Sequence, residues 1–137
     1  MNAIPVNTPD ITAADCEAVL ECLKAGWISS EGPQVAQFEN LFAPTLGRKH
    51  GVAVSSGTAG LIIGVRALGL GPGDEVLVPS LTIISCATAI LESGAKPVPV
   101  DCDPHDWNAH LCHFEKRLTP RTKAIMLVHL YGLCADL

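Results

Sequence analysis

The stretch Val54-Ser55-Ser56-Gly57-Thr58-Ala59-Gly60-Leu61 sets two serine hydroxyls, a glycine, a threonine hydroxyl and small residues side by side. Where such a stretch turns from a strand into a helix, unbonded backbone N–H groups and the positive end of the helix dipole favour an anion. Ser56 and Thr58 add hydroxyl donors there, and Gly57 lets the backbone come close to a ligand. Phosphate is the anion this chemistry suits; ordinary capping of a helix start by serine or threonine accounts for the same residue types. No Gly-Lys-Ser/Thr follows, so the stretch is not a Walker A loop. Gly69-Leu70-Gly71-Pro72-Gly73 has the glycines of a dinucleotide fingerprint, but it follows a helical pattern and reads as a helix exit.

A second cluster, His105, His110, Cys112 and His113, carries metal-ligand types. Zinc sites usually draw close ligand pairs from both ends of a loop, and no second compact pair is present, so the cluster reads as a solvated helix start. The cysteines at 16, 22, 86, 102, 112 and 134 contain no Cys-x-x-Cys pair, and MNAIPVNTPD has neither the basic start nor the apolar core of a secretory signal. Free thiols in a reducing, cytoplasmic compartment are expected, several of them acting as small buried apolar residues.

The elements that must position these residues follow from periodicity. Thr12 and Asp15 frame a helix start, with Cys16, Val19, Leu20 and Leu23 at helical spacing up to Gly26. Gly32-Pro33 opens a second helix whose apolar face is Val35, Phe38, Leu41, Phe42 and Leu46. Gly51–Ser55 reads as a short buried strand, 58–70 as a helix, 75–79 as a strand and 82–93 as a helix apolar almost all round. Lys96–Val100 reads as a strand whose Pro97 and Pro99 favour an edge or strand-start position over the sheet centre, 110–118 as a short helix, and 123–130 as a fourth strand. This alternation predicts an α/β layered domain with a mostly parallel sheet.

At 137 residues the chain suffices for one domain, and 48% hydrophobic against 17% charged residues excludes general disorder. A net charge of -5, with Lys116, Arg117, Arg121 and Lys123 as the only local basic cluster, argues against a nucleic-acid partner. No apolar run reaches the roughly 20 residues that span a bilayer, so no membrane partner is expected.

Taken together, several segments resemble the DegT/DnrJ/EryC1/StrS family of sugar aminotransferases. They are Gly26-Trp27-Ile28-Ser29-Ser30-Glu31-Gly32-Pro33, Ser55-Ser56-Gly57-Thr58-Ala59, Gly73-Asp74-Glu75-Val76, Pro79-Ser80-Leu81-Thr82, Pro97-Val98-Pro99-Val100-Asp101, Thr122-Lys123-Ala124-Ile125-Met126 and His129-Leu130-Tyr131-Gly132. Trp27-Ile28-Ser29-Ser30, Asp103-Pro104 with Trp107-Asn108, and the His-Leu-Tyr-Gly stretch resemble its perosamine-synthase-like branch most. The resemblance implies part of an aspartate-aminotransferase-type (fold type I) large domain over 33–137, preceded by a helical arm over 1–32. It implies pyridoxal 5'-phosphate as cofactor, a nucleotide-linked 4-keto-6-deoxy sugar and an amino-acid donor as substrates, and a homodimer with shared active sites. By position, Ser56, Gly57, Thr58 and Ala59 correspond to the cofactor-phosphate loop, and Ile83 stands where an aromatic ring often covers the cofactor. Trp27, Ser29 and Ser30 correspond to the substrate side, with a core tryptophan and a locally capped loop as the structural alternative. Gly60 and Leu133 depart from the usual alanine and glutamine. His129 and Tyr131 would end a strand on the ligand side.

The family's Schiff-base lysine and the carboxylate that pairs with the pyridinium lie downstream of the His-Leu-Tyr-Gly strand. None of Lys24, Lys49, Lys96, Lys116 and Lys123 sits in a segment like the lysine motif, so no catalytic residue is expected in this chain. Cys134-Ala135-Asp136-Leu137 brings a helix-capping aspartate and then stops, which leads to the expectation of an N-terminal fragment with an open sheet edge, inactive alone and prone to aggregation. The alternative is a self-sufficient, non-catalytic module that binds phosphate or a partner subunit.

Overall fold

The protein is described here by a computed structural model covering residues 4–136. The chain divides into two compact units, Met1–Ala53 and Val54–Leu137.

In the first unit, α1 (Ala13–Lys24) starts where the sequence places it. Thr12 Oγ1 accepts from Asp15 N–H at 3.3 Å, and Asp15 Oδ2 accepts from Thr12 N–H at 2.8 Å. The Thr12 hydroxyl and then its N–H hold the Asp15 carboxyl below its ordinary range. Gly26, at φ +77°, ends the helix, with Trp27 N–H bonded back to Cys22 O at 2.9 Å. α2 (Pro33–Thr45) begins on Pro33, whose missing N–H costs nothing at a helix start. The apolar faces are only partly covered: Val19, Leu23, Phe38, Leu41, Phe42 and Leu46 are exposed, and the Phe38 and Phe42 rings stack at 5.3 Å.

The strand expected at Gly51–Ser55 does not form, and Val52 is 77% exposed. The N–H of Ala53, which a ladder would use, is taken by Glu39 Oε1 at 2.7 Å. Gly51 lies so close to α2 that an added Cβ would stand 3.0 Å from Glu39 O. A β-branched run without a neighbouring strand settles here on a helix side chain instead.

In the second unit, α3 (Gly57–Ala67), β1 (Glu75–Pro79), α4 (Ile84–Glu92), β2 (Lys96–Val100), α5 (Leu111–Glu115) and β3 (Thr122–Ile125) follow in order. The strands form an all-parallel sheet, β2-β1-β3. Every residue of β1 is buried. Val76 and Val78 face α4 with Cys86, Ile90 and Ala95, while Leu77 faces the other side with Val98, Val100, Ala109 and Phe114. Helices thus cover both faces, as parallel sheets require.

β2 is an edge strand, as its prolines indicate. Lys96 N–H bonds Asp74 O at 2.9 Å, so by the two-residue period Pro97 and Pro99 turn their donorless nitrogens outward. β3 ends at Ile125 rather than 130. Its ladder on β1 finishes as Met126 N–H meets Leu77 O at 2.8 Å, and among the described residues no strand supports its other edge. α5 is also shorter than expected, five residues. All six cysteines are free thiols, and Cys86 alone is buried, so the expectation of several buried thiols narrows to one.

The carboxylate of Glu75, 3% exposed, accepts from Thr119 Oγ1 at 2.6 Å and from Arg121 Nε and Nη2 at 3.0 and 2.8 Å, with Lys96 Nζ 3.8 Å away. The Thr119 hydroxyl first, then the Arg121 guanidinium, lower its pKa. A carboxylate with a lowered folded-state pKa stabilises above its unfolded value and loses that contribution as pH falls through the lowered one. Glu75→Gln should therefore flatten the part of the acid-side loss in thermal midpoint that wild type shows as pH falls through and below the carboxylate range, with Asp15 and Asp106 leaving a residual slope. Leu77→Ala, at a site with no exposure, should cost about 2–5 kcal/mol in urea unfolding.

Candidate functional site

Parallel α/β sheets present ligand-binding crevices at the carboxyl ends of their strands, and the candidate residues of the second unit gather there. Ser56 is the N-cap of α3, its Oγ accepting from Ala59 N–H at 3.2 Å. Capping is thus real at Ser56, and it leaves Thr58 free for another task. Thr58 Oγ1 lies 2.8 Å from Ser85 Oγ in the first turn of α4. A Cβ added to Gly57 would meet nothing within 4 Å, so the backbone at this helix start faces open space.

Ile83 is the N-cap of α4, offers no side-chain cap and is 61% exposed. With Leu81 and Thr82 after β1, and Val128, His129 and Tyr131 after β3, it lines a cleft of about 460 Å³. Through Thr58 and Ser85 the start of α3 is joined to the start of α4, where Ile83 lines the cleft.

Trp107 completes the cleft. Trp107 and Tyr131 have φ of +64° and +52°, a left-handed conformation that non-glycine residues rarely adopt. A buried amide holds them: Asn108 Nδ2 donates to Leu133 O at 3.2 Å, and its Oδ1 accepts from Leu130 N–H at 3.4 Å. Asn108 N–H in turn bonds Asp106 Oδ1 at 2.9 Å, and that bond is the main reason the Asp106 carboxyl sits below its ordinary range. His129 and Tyr131 do border the ligand side, but from an irregular segment and a short 3₁₀ turn (Leu130–Gly132) rather than a strand end.

The His/Cys cluster does not assemble into a metal set. Among the described residues, Asp103, Asp106 and His110 bring ligand-type atoms within 4.8 Å of one another. Their oxygens cap backbone: Asp103 Oδ1 accepts from His105 N–H at 2.8 Å and Asp106 Oδ1 from Asn108 N–H. His113 Nδ1 accepts from His110 N–H at 3.1 Å.

Trp27, Ser29 and Ser30 belong to the first unit. Trp27 is 45% exposed and lies against Gly32, and both serines are exposed in the turn between α1 and α2. No local spacing in the sequence signals Ser85 or Asn108, whose partners stand 27 and 22–25 residues away.

A helix-start cradle beside a cleft at the strand ends is what a phosphate-bearing cofactor requires, and comparison with known proteins agrees. Residues 9–137 match the DegT/DnrJ/EryC1/StrS aminotransferase family, and the chain belongs to it. It is 46% identical over 134 residues to GDP-perosamine synthase of Caulobacter vibrioides, covering 98% of this chain and 36% of that protein. It is 44% identical over 137 residues to GDP-perosamine synthase of Escherichia coli O157:H7, covering 100% of this chain and 38% of that one. The structure of NtdA from Bacillus subtilis with bound cofactor PMP superposes with a TM-score of 0.79 at 35% identity, over 96% of this chain and 32% of that one. The fold is accordingly part of the PLP-dependent aminotransferase fold, and the chain spans a little over a third of the length of these curated relatives.

Asn108→Ala should destabilise the second unit by about 1–3 kcal/mol, because Leu133 O and Leu130 N–H lose a buried partner. Urea unfolding measures the loss, and Trp107 fluorescence should change with it.

Proposed function

We propose that this chain forms the cofactor-phosphate side of a sugar aminotransferase that aminates a nucleotide-linked 4-keto-6-deoxy sugar, with an amino acid as donor and a second subunit sharing the site. The observation that carries the reading is the convergence of the α3 and α4 starts, through Thr58 and Ser85, on the corner of the cleft that holds Ile83. The two GDP-perosamine synthases support the sugar substrate class. Absence of any long apolar helix among the described residues agrees with a chain that does not cross a membrane by helix.

The residues present fit pyridoxal phosphate. The backbone N–H groups of Gly57 and Thr58 and the Thr58 hydroxyl would take the phosphate, where the dipole of α3 favours negative charge, the Ala59 N–H being held by the Ser56 cap. Gly57 leaves the approach open. Ile83 would cover one ring face by dispersion alone, without the π-stacking an aromatic side chain adds. Bound there, the cofactor supplies an electron sink and a carbonyl that exchanges amino groups. Trp107 and Tyr131 line the cleft, and by family position Trp27, Ser29 and Ser30 would serve the substrate side, in a helical arm over 1–32 that precedes a cofactor-binding part over 33–137.

Proton movement and covalent attachment of the cofactor need a lysine that residues 54–136 do not bring to the cleft, and none of the chain's lysines lies in a segment like the family's lysine motif. Lys96 and Lys123 stand at the amino ends of β2 and β3, opposite the cleft, and Lys116 caps the end of α5. The chain alone is therefore inactive in transamination under this reading. Titration with pyridoxal phosphate should show reversible binding that weakens several-fold in Thr58→Val. Borohydride reduction of the mixture should leave no stoichiometrically labelled lysine. One fully labelled lysine overturns the inactive-fragment part, and absence of any binding by wild type overturns the cofactor part.

A further inference from the structure

A threonine in the first turn of a helix has no preceding turn to bond, whereas one further along can turn its hydroxyl back to the carbonyl four residues earlier. Thr88 does this within α4, its Oγ1 donating to Ile84 O at 3.1 Å. Thr58 instead pairs with Ser85 Oγ at 2.8 Å, across the gap between two helix starts. Ser56, the other hydroxyl at the start of α3, is committed to the cap through Ala59 N–H.

We infer that Ser85 is a positioning residue that aims the Thr58 hydroxyl at a phosphate oxygen; the inference rests on the phosphate-loop reading above. A hydroxyl carries one hydrogen and accepts through two lone pairs. With Ser85 donating, Thr58 accepts at Oγ1 and keeps its own hydrogen for the anion. The result is a chain from Ser85 to Thr58 to phosphate in which each bond polarises the next. Without Ser85, the Thr58 hydroxyl loses the partner that fixes its direction, and the anion loses an aimed donor. The location favours this arrangement, because α4 begins without a side-chain cap and both helix starts direct positive dipole ends toward the hydroxyl pair.

The test is a double-mutant cycle on the chain, read as dissociation constants for pyridoxal phosphate and for pyridoxal, which lacks the phosphate. Ser85→Ala should weaken pyridoxal phosphate binding about three- to tenfold, the loss of one hydrogen bond of ordinary net strength. It should leave pyridoxal binding and the circular dichroism spectrum unchanged, and Ser85→Thr should restore affinity. In the Thr58→Val background, Ser85→Ala should cause no further loss, since its effect runs through Thr58. Wild-type affinity in Ser85→Ala, or the same loss in both backgrounds, overturns the inference while the phosphate-loop reading stands. Wild-type affinity in Thr58→Val overturns the phosphate-loop reading itself.

Discussion

The second unit depends on the double pairing of β1. Hydrogen-bonded to a strand on each edge and covered on both faces, β1 has no exposed residue, and the cleft is lined by the continuations of β1 and β3 with Trp107 from the segment after β2. Parallel pairing fixes their direction. Once Glu75 pairs with Lys96 and Thr122, the carboxyl ends of all three strands must emerge on the same side. The cleft is the consequence of that shared direction.

The opposite end of β1 explains why a charged residue is tolerated in a strand that is otherwise apolar. Glu75 is buried, but each carboxylate oxygen has a partner supplied by the turn before β3, and a buried charge survives only on such terms. Thr119 and Arg121 are brought there by the loop that closes α5, so the ion pair also fastens β3 to β1 at the point where the register shifts. Parallel pairs lack a tight hairpin to set their alignment, and a directional carboxylate–guanidinium contact does that work here.

Sequence periodicity identified the features that depend on neighbours in the chain. Thr12 with Asp15, Pro33 at its helix start, β1 and β2 at their full lengths, and the edge position of β2 are all local chemistry, and the structure has them. Features that depend on a distant partner read less well. The run at 51–55 has strand composition, yet Glu39 takes the Ala53 N–H; the apolar stretch to 130 stops pairing when β1 ends. The site divides along the same line. Ser56 to Ala59 stand out by their own neighbours and Ile83 by the family resemblance, while Ser85 and Asn108 acquire meaning only from Thr58 and from the 130–133 turn. The left-handed backbone of Trp107 and Tyr131 carries no glycine to announce it.

The direction of the sheet also bears on the lysines. A strand rises about 3.3 Å per residue, so the Cα of Lys96 stands about 13 Å from that of Val100 at the carboxyl end of β2. Lys96 is instead drawn to Glu75, 3.8 Å away, where its charge is of use to the sheet. Lys123, second in β3, begins on the same wrong side. Moving either ammonium to the cleft would require reversing a strand, which would turn its partner's ladder as well. A lysine that reacts at this cleft must come from a segment that follows a strand rather than opens one. Within residues 54–136, the segments after β1, β2 and β3 contain Lys116 alone, the C-cap of α5, and it does not line the cleft. The polarity that builds the cleft is thus the same constraint that keeps Lys96 and Lys123 away from it.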